Sequence, residues 1–303
     1  MSRWLMELYT KLGVIKNLMI EDLLADGYLQ SDETFVQVLK VNGEKKEGKS
    51  YAWVRFNPLR KIVVFDFFPT RAGYVAKELF KDFQGFLQVD GYEGYNAAQN
   101  GNHIEELGCW YHARKYFFIA YKDGKSKKAL ETLKMIKLLF KIEKIAIEKN
   151  LSYDERKKLR EEHSKPIIDK IKAWVDKEKL EVLPKSPLGE ALTYAINQWP
   201  QLIVYLKDGR LEISNIWIEN KIRPFAIGRK NWLFFDTDKG ADAGCFFYSL
   251  IETAKAHGLN RREYFMNLLK NIPKATELSD FEKLLPYPPQ TRLAIDGNSK
   301  ISF

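Results

Sequence analysis

A chain of 303 residues that is 45% hydrophobic and 14% aromatic can bury one large core or two smaller ones, which excludes disorder as its default state. Its 49 basic against 40 acidic side chains leave a formal charge of +9; this favours a polyanionic partner, most simply nucleic acid, with a basic surface kept for solubility as the plain alternative. Two distant cysteines, Cys109 and Cys245, exclude a zinc ribbon and a disulfide framework and fit a reducing cytosol, while no apolar run approaches the ~20 residues of a membrane span and charges among the first apolar residues exclude a secretory signal.

Residues 3–25 read as an amphipathic helix, with Leu5, Leu8, Leu12, Ile15, Met19 and Leu23 at three- and four-residue steps. The period then changes. Thr34–Leu39, Tyr51–Phe56 and Lys61–Phe67 read as three strands with short connections, a meander. Ala72–Phe83 is a short helix. Phe86–Asp90 is a buried fourth strand that stops on a carboxylate, after which Gly91 and Gly94 turn the chain. A short helix around Tyr95–Gln99 and a fifth strand at Ile104–Trp110 follow. Three strands, helix, strand, helix, strand is an α/β order with a mixed sheet.

From His112 the chain is helical and rich in lysine. Ser152 with Glu155 makes a capping box, and Ser186-Pro187 is an N-cap with proline at the first helical position. Residues 123–208 read as a helical insertion in an α/β domain. Ser214 is placed to cap a helix containing Ile218, Glu219 and Ile222, which Pro224 is expected to end. Gly228-Arg-Lys-Asn231 then reads as turn-rich and Trp232–Phe235 as a short strand or buried run. Ala241–His257 is a helix, Asn260 with Glu263 starts another, and the tail from Pro286 onward is expected to lack regular structure.

Three acidic residues fall at element ends or on a helix: Asp32 opening the first strand, Asp90 ending the fourth, and Glu219 on the helix after the insertion. If the first and fourth strands are neighbours, the two aspartates can face each other across one strand spacing of ~4.8 Å. A third carboxylate from a packed helix would complete an all-oxygen site for two hard cations, the arrangement used in phosphodiester chemistry. An ordinary Asp capping a strand-to-helix turn remains the alternative for Asp90.

Several longer stretches accompany these residues: Ser31-Asp-Glu-Thr34 with the following Val-Gln-Val-Leu, Leu87-Gln-Val-Asp-Gly-Tyr-Glu-Gly-Tyr95, Cys109-Trp-Tyr-His-Ala-Arg-Lys115 and Glu219-Asn-Lys-Ile-Arg-Pro-Phe-Ala-Ile-Gly-Arg-Lys-Asn-Trp-Leu-Phe234. Tyr248-Ser-Leu-Ile-Glu-Thr-Ala-Lys255 and Leu284-Leu-Pro286 follow in order. With them the chain resembles transposases of the insertion sequence 66 family, over residues from about 25 to 287. The resemblance implies a DDE-type enzyme on a ribonuclease H-like fold: a mixed five-stranded sheet with flanking helices and a large all-helical insertion. It implies Asp32, Asp90 and Glu219 as catalytic and metal-binding residues for Mg²⁺ (Mn²⁺ as substitute), in two ions. The implied activity is cleavage of the DNA 3′ end and strand transfer, acting on double-stranded DNA at transposon ends and target. A dimer or higher assembly on DNA, a cytoplasmic bacterial location with nucleoid association, and no membrane partner follow by analogy.

The organisation expected is an N-terminal helix at 1–25, a catalytic core at 26–122 and 209–258, the insertion at 123–208, and a C-terminal helix and tail at 259–303. His112, Arg114, Lys115, Arg223, Arg229 and Lys230 are candidate DNA-phosphate contacts, with a structural histidine and solvated basic faces as the alternatives. Trp232 and Cys109 read as core residues. Two departures from the family pattern stand out. Family members usually carry a cysteine-rich, zinc-binding N-terminal region; here no cysteine precedes Cys109, so end recognition or assembly by that region is expected to be missing. The approach to the third carboxylate, usually Glu-Ile-Asp-Asn-Asn, is Glu212-Ile-Ser-Asn-Ile216. A truncated, catalytically impaired remnant that only binds DNA, or a related metal-dependent nuclease, are therefore the alternative functions.

Overall fold

The computed structural model describes residues 3–99 and 103–289. The expectation of an irregular tail falls largely on 290–303, outside the described residues. The chain forms two compact units; the first takes 3–87, 93–99, 103–105 and 217–289 of the described residues, and the second takes 88–92 and 106–216.

Eight strands occur among the described residues: β1 (Tyr28–Val36), β2 (Val38–Val41), β3 (Glu44–Lys45), β4 (Ser50–Asn57), β5 (Ile62–Phe68), β6 (Gly85–Gln88), β7 (Ile104–Leu107) and β8 (Phe235–Thr237). The main sheet runs β5-β4-β1-β6-β7, with β1 and β4 antiparallel, as are β4 and β5. The first and fourth strands of this sheet are thus neighbours, as the sequence reading required. The run Thr34–Leu39 is not one strand: Gln37 divides it, and β2 turns away to join a small sheet, β3-β2-β8. Asp32 does not open its strand either. Tyr28, Leu29, Gln30 and Ser31 are all buried, so β1 starts four residues earlier without the polar alternation that would have revealed it.

The N-terminal helix is two, α1 (Arg3–Lys11) and α2 (Gly13–Leu24), divided at Leu12. Short helices α3 (Gly73–Leu79) and α4 (Asn96–Gln99) follow β5 and precede β7. In the second unit come α5 (Trp110–Lys122), α6 (Lys127–Glu148), α7 (Tyr153–Leu159), α8 (Lys165–Glu178), α9 (Pro187–Asn197) and α10 (Trp199–Leu202). The capping box at Ser152 and Glu155 and the N-cap at Ser186 both form. The first unit ends with α11 (Ile216–Trp232), α12 (Asp238–Ala256), α13 (Arg261–Asn271), started by Asn260, and α14 (Leu278–Glu282).

Pro224 does not end its helix; α11 runs through it to Trp232. The amide hydrogen that proline lacks would have bonded the carbonyl of Asn220, an exposed residue whose carbonyl water can serve. Packing supplies the rest. Ile218, Ile222 and Phe225 enter the core formed by Val54, Phe65 and other sheet residues, and the Phe65 and Phe225 rings stack 5.6 Å apart. Gly228 also lies within α11, where an added Cβ would collide with the Tyr248 hydroxyl. Trp232 is half-buried and packs against this core, beside Phe235 at 4.6 Å and Phe225 at 5.4 Å.

α12 protects the open edge of the sheet. β5 is an edge strand, whose outward amides would otherwise template aggregation. The Ser249 hydroxyl accepts the Phe65 N–H at 2.8 Å; the Thr253 hydroxyl accepts the Val63 N–H at 2.9 Å and donates to the Val63 carbonyl at 3.1 Å. Four helical residues rise ~6 Å and two strand residues ~6.6 Å, so the i, i+4 hydroxyls meet alternate strand amides. This explains Ser and Thr in the Tyr248–Lys255 stretch. The double change Ser249→Ala, Thr253→Val is expected to cost about 3 kcal/mol by stranding buried amides. A lower urea midpoint at unchanged slope, with faster aggregation on heating, is the expected reading.

Candidate active site

Asp32 lies mid-strand on β1, opposite Val54 on β4, half-buried. Its Oδ1 accepts the N–H of Glu33 at 2.7 Å. The residues on either side are tied down. The Glu33 side chain, 1% exposed, pairs with Arg71 and accepts the Tyr95 hydroxyl at 2.7 Å. The Ser31 hydroxyl donates to the Val54 carbonyl at 3.1 Å and lies 3.2 Å from the same Tyr95 oxygen. Burial pushes the Tyr95 phenol well above its usual range, and the negative charges of Glu33 and Asp32 push it further, so it remains a proton donor. Neither Glu33 nor Tyr95 was singled out in the sequence. Tyr95 closes the Asp-Gly-Tyr-Glu-Gly-Tyr motif, but nothing in spacing says that its hydroxyl reaches β1.

Glu219 stands in the first turn of α11, half-buried. The element carrying it is bonded to the strand carrying Asp32. Gln30, fully buried on β1, accepts the Ile218 N–H through its Oε1 at 3.1 Å and donates to the Tyr28 hydroxyl at 3.2 Å. Gln30 and Asp32 share one face of the strand by their period of two, and Ile218 precedes Glu219. The helix starts at Ile216, one residue later than a cap at Ser214 would place it. Asn215 is fully buried, and neither polar atom of its amide has a partner among the described residues.

Asp90 belongs to the second unit and does not end its strand: β6 stops at Gln88, two residues earlier. The buried Gln88 amide donates to the carbonyls of Gly108 at 3.2 Å and Glu212 at 2.8 Å, and the Val89 N–H bonds the Leu107 carbonyl at 3.1 Å. Asp90 Oδ1 then accepts the Tyr92 N–H at 3.0 Å, an Asx turn whose middle residue, Gly91, has φ +92°. The Tyr194 hydroxyl of α9 donates to the Asp90 carbonyl at 3.2 Å. Burial, then the nearby Cys109 and Asp90, raises the Tyr194 phenol far above its usual range, so it too stays protonated. Cys109 is buried and unbonded to sulfur, as a small core residue.

Of the basic candidates, Arg114, Lys115, Arg223 and Lys230 are exposed, and His112 is half-buried. Arg229 is engaged within the first unit. Its guanidinium donates to the Phe35 carbonyl and sits 5.6 Å from the Phe35 ring centre. Several insertion lysines pair with acids on their own helices, among them Lys165 with Asp169 and Lys172 with Asp176.

The three carboxylates present only oxygen donors, the type a hard divalent cation such as Mg²⁺ takes. Among the described residues, no group of three or more His, Cys, Asp or Glu side chains is assembled that could hold a metal ion. No described helix is long and apolar enough to cross a membrane.

A five-stranded mixed sheet ordered third-second-first-fourth-fifth, with helices packed on it, makes this a ribonuclease H-like α/β protein. The chain belongs to the IS66 transposase family: the profile of the Transposase IS66 family matches residues 1–243, and that of the IS66 C-terminal element matches 249–287. It is similar to the uncharacterized protein y4qI of Sinorhizobium fredii (strain NBRC 101917 / NGR234), 28% identical over 301 residues, covering 95% of this chain and 55% of y4qI. It is also similar to the uncharacterized protein y4hP of the same organism, 30% identical over 218 residues, covering 67% of this chain and 39% of y4hP. The chain thus spans about half the length of these curated relatives. No solved structure matches it.

Proposed function

We propose that this chain cuts and joins DNA as the catalytic part of a DDE transposase, with Asp32, Asp90 and Glu219 as its acidic residues. The observation that carries the reading is the bond from Gln30 to Ile218, which fixes the strand bearing Asp32 against the helix bearing Glu219 in a member of a transposase family. The three carboxylates would hold Mg²⁺, in two ions, and bound there the metal supplies activation of an attacking oxygen and stabilisation of a leaving one. The chain's own part is to orient these side chains: the Glu33 amide turns Asp32, and the Tyr92 amide turns Asp90. Cleavage of a duplex carrying the element's ends, in Mg²⁺, is the direct test. Asp90→Ala is expected to abolish it, and undiminished cleavage by that variant sinks the reading.

Double-stranded DNA is the proposed substrate, and Arg114, Lys115, Arg223 and Lys230 its phosphate contacts. Arg223→Ala with Lys230→Ala is expected to weaken binding about equally for all sequences. It should also flatten the dependence of log affinity on log salt by roughly two charge contacts, measured by anisotropy titrations at several salt concentrations. Assembly as a dimer or larger complex on DNA belongs to the same proposal.

A DNA-binding protein without cutting activity is the second reading. Ile216, 38% exposed at the first position of α11, favours it, since it stands where the family pattern has an amide. Cleavage that appears only after Ser214→Asp and Ile216→Asn would establish this reading for the unaltered chain.

A further inference from the structure

The helical insertion meets the Asp90 turn at two points, both within the second unit. The first is the Tyr194 hydroxyl on the Asp90 carbonyl, at 3.2 Å. The second is Gln198, which follows α9. Its side chain fills the space a Cβ on Gly91 would need, with Cδ and Oε1 both 2.8 Å from that point. Gln198 Oε1 is buried and has no hydrogen-bond partner among the described residues, so the side chain is held there by shape. Tyr194 is itself fixed: its ring stacks on Tyr116 of α5 with centroids 4.4 Å apart and planes 22° from parallel.

These contacts bear on orientation. A carboxylate one bond beyond Cβ swings with the backbone torsions on both sides of its residue. In the Asp90 turn the carbonyl is pinned from α9, Gln198 fills the space beside the next residue, Gly91, and the side chain is already tied to the Tyr92 N–H. Residues well outside the acidic triad thus set where the remaining Asp90 oxygen points. We propose that Tyr194 and Gln198 are positioning residues for Asp90, and that the insertion serves the acidic site by clamping this turn. The proposal rests on the reading of Asp90 as a metal-binding carboxylate. It differs from a DNA-tracking role for the insertion, because a clamp changes metal affinity and leaves DNA affinity alone.

The test titrates Mn²⁺ into the full chain, with free ion followed by electron paramagnetic resonance, for the wild type, Tyr194→Phe, Gln198→Ala and Asp90→Asn. Tyr194→Phe removes one oxygen and keeps the stacked ring. It is expected to weaken Mn²⁺ binding by about tenfold, the scale on which partners of metal ligands act. Circular dichroism and DNA affinity should stay unchanged. Gln198→Ala is expected to act in the same direction, and Asp90→Asn to remove the binding. Wild-type Mn²⁺ affinity in both Tyr194→Phe and Gln198→Ala, beside a loss in Asp90→Asn, overturns the clamp and leaves the metal reading standing. Mn²⁺ binding that Asp90→Asn does not alter overturns the metal reading, and the clamp falls with it. Weaker Mn²⁺ binding that only follows a drop in Tm reduces both residues to fold support and also overturns the proposal.

Discussion

Glu143→Ala is expected to destabilise the second unit by about 3–5 kcal/mol, because it leaves two buried guanidinium groups without their shared counter-charge. Glu143 on α6 accepts from Arg156 Nε and from Arg160 Nε and Nη2, each at 2.8 Å. Arg156 is 1% exposed and Arg160 0%. Arg156 also meets Glu212 at 2.9 and 3.0 Å, so two arginines face two carboxylates and the cluster is neutral. Arg160 reaches further, donating to the carbonyls of Tyr205, Asp208 and Leu211 at 2.6, 2.9 and 2.7 Å. It thereby fixes the backbone that leads out of the insertion toward α11. Exposed pairs such as Lys165 with Asp169 are worth only ~0.5 kcal/mol, so Lys165→Ala serves as the control.

The same cluster gives a pH signature. Burial alone would raise the Glu143 carboxyl, but the charges of Arg160 and Arg156 outweigh it and hold the group at about 2 against an ordinary 4.5. A folded-state value below the unfolded one stabilises at pH above about 4.5 and loses that stability as pH falls toward 2. The full span is about 3 kcal/mol at 1.36 kcal/mol per unit. Urea midpoints measured across pH 2–6 should fall over this window in the wild type. In Glu143→Gln that part of the fall should be missing, from a lower starting point.

Much of this was readable in the chain and some was not, for physical reasons that differ by residue. The alternating runs of β4 and β5 and the capping signals at Ser152, Ser186 and Asn260 act through neighbours in sequence, so local pattern suffices to find them. β1 was cut short because its first four residues are buried on both faces and include Gln30 and Ser31, which look like turn residues until their distant partners are known. Pro224 and Gly228 look like helix breakers and lie inside α11, since packing on the sheet and on Tyr248 overrides local preference. The acidic residues proposed for the site, at 32, 90 and 219, could be named from motifs. What holds them could not: Tyr95, Gln30 and Tyr194 each act across 60 or more positions. The insertion's lysines suggested DNA, while its buried Arg156 and Arg160 are indistinguishable in sequence from the solvated ones around them.

Glu219→Gln is expected to lower DNA cleavage by ~10³-fold or more while leaving the protein folded, and the two effects separate because they have different sizes. Glutamine keeps the length and hydrogen-bonding shape of the side chain and removes its charge. In the first turn of α11 that charge interacts with the helix dipole, worth ~0.3–1 kcal/mol when partly exposed. The catalytic cost is larger, because a carboxylate that holds a divalent cation supports several kcal/mol of transition-state charge stabilisation, and each 1.36 kcal/mol is tenfold in rate. Gln30→Leu makes the contrasting change. It keeps Glu219 and removes the acceptor of the Ile218 N–H, stranding a buried amide and loosening the helix on its strand. That variant should lose stability first and cleavage only in proportion. If Glu219→Gln cleaved at more than a tenth of the wild-type rate while Gln30→Leu did not, the charge of Glu219 would be dispensable. Its place in the acidic triad would then be lost, leaving the bond beneath it as a feature of the fold alone.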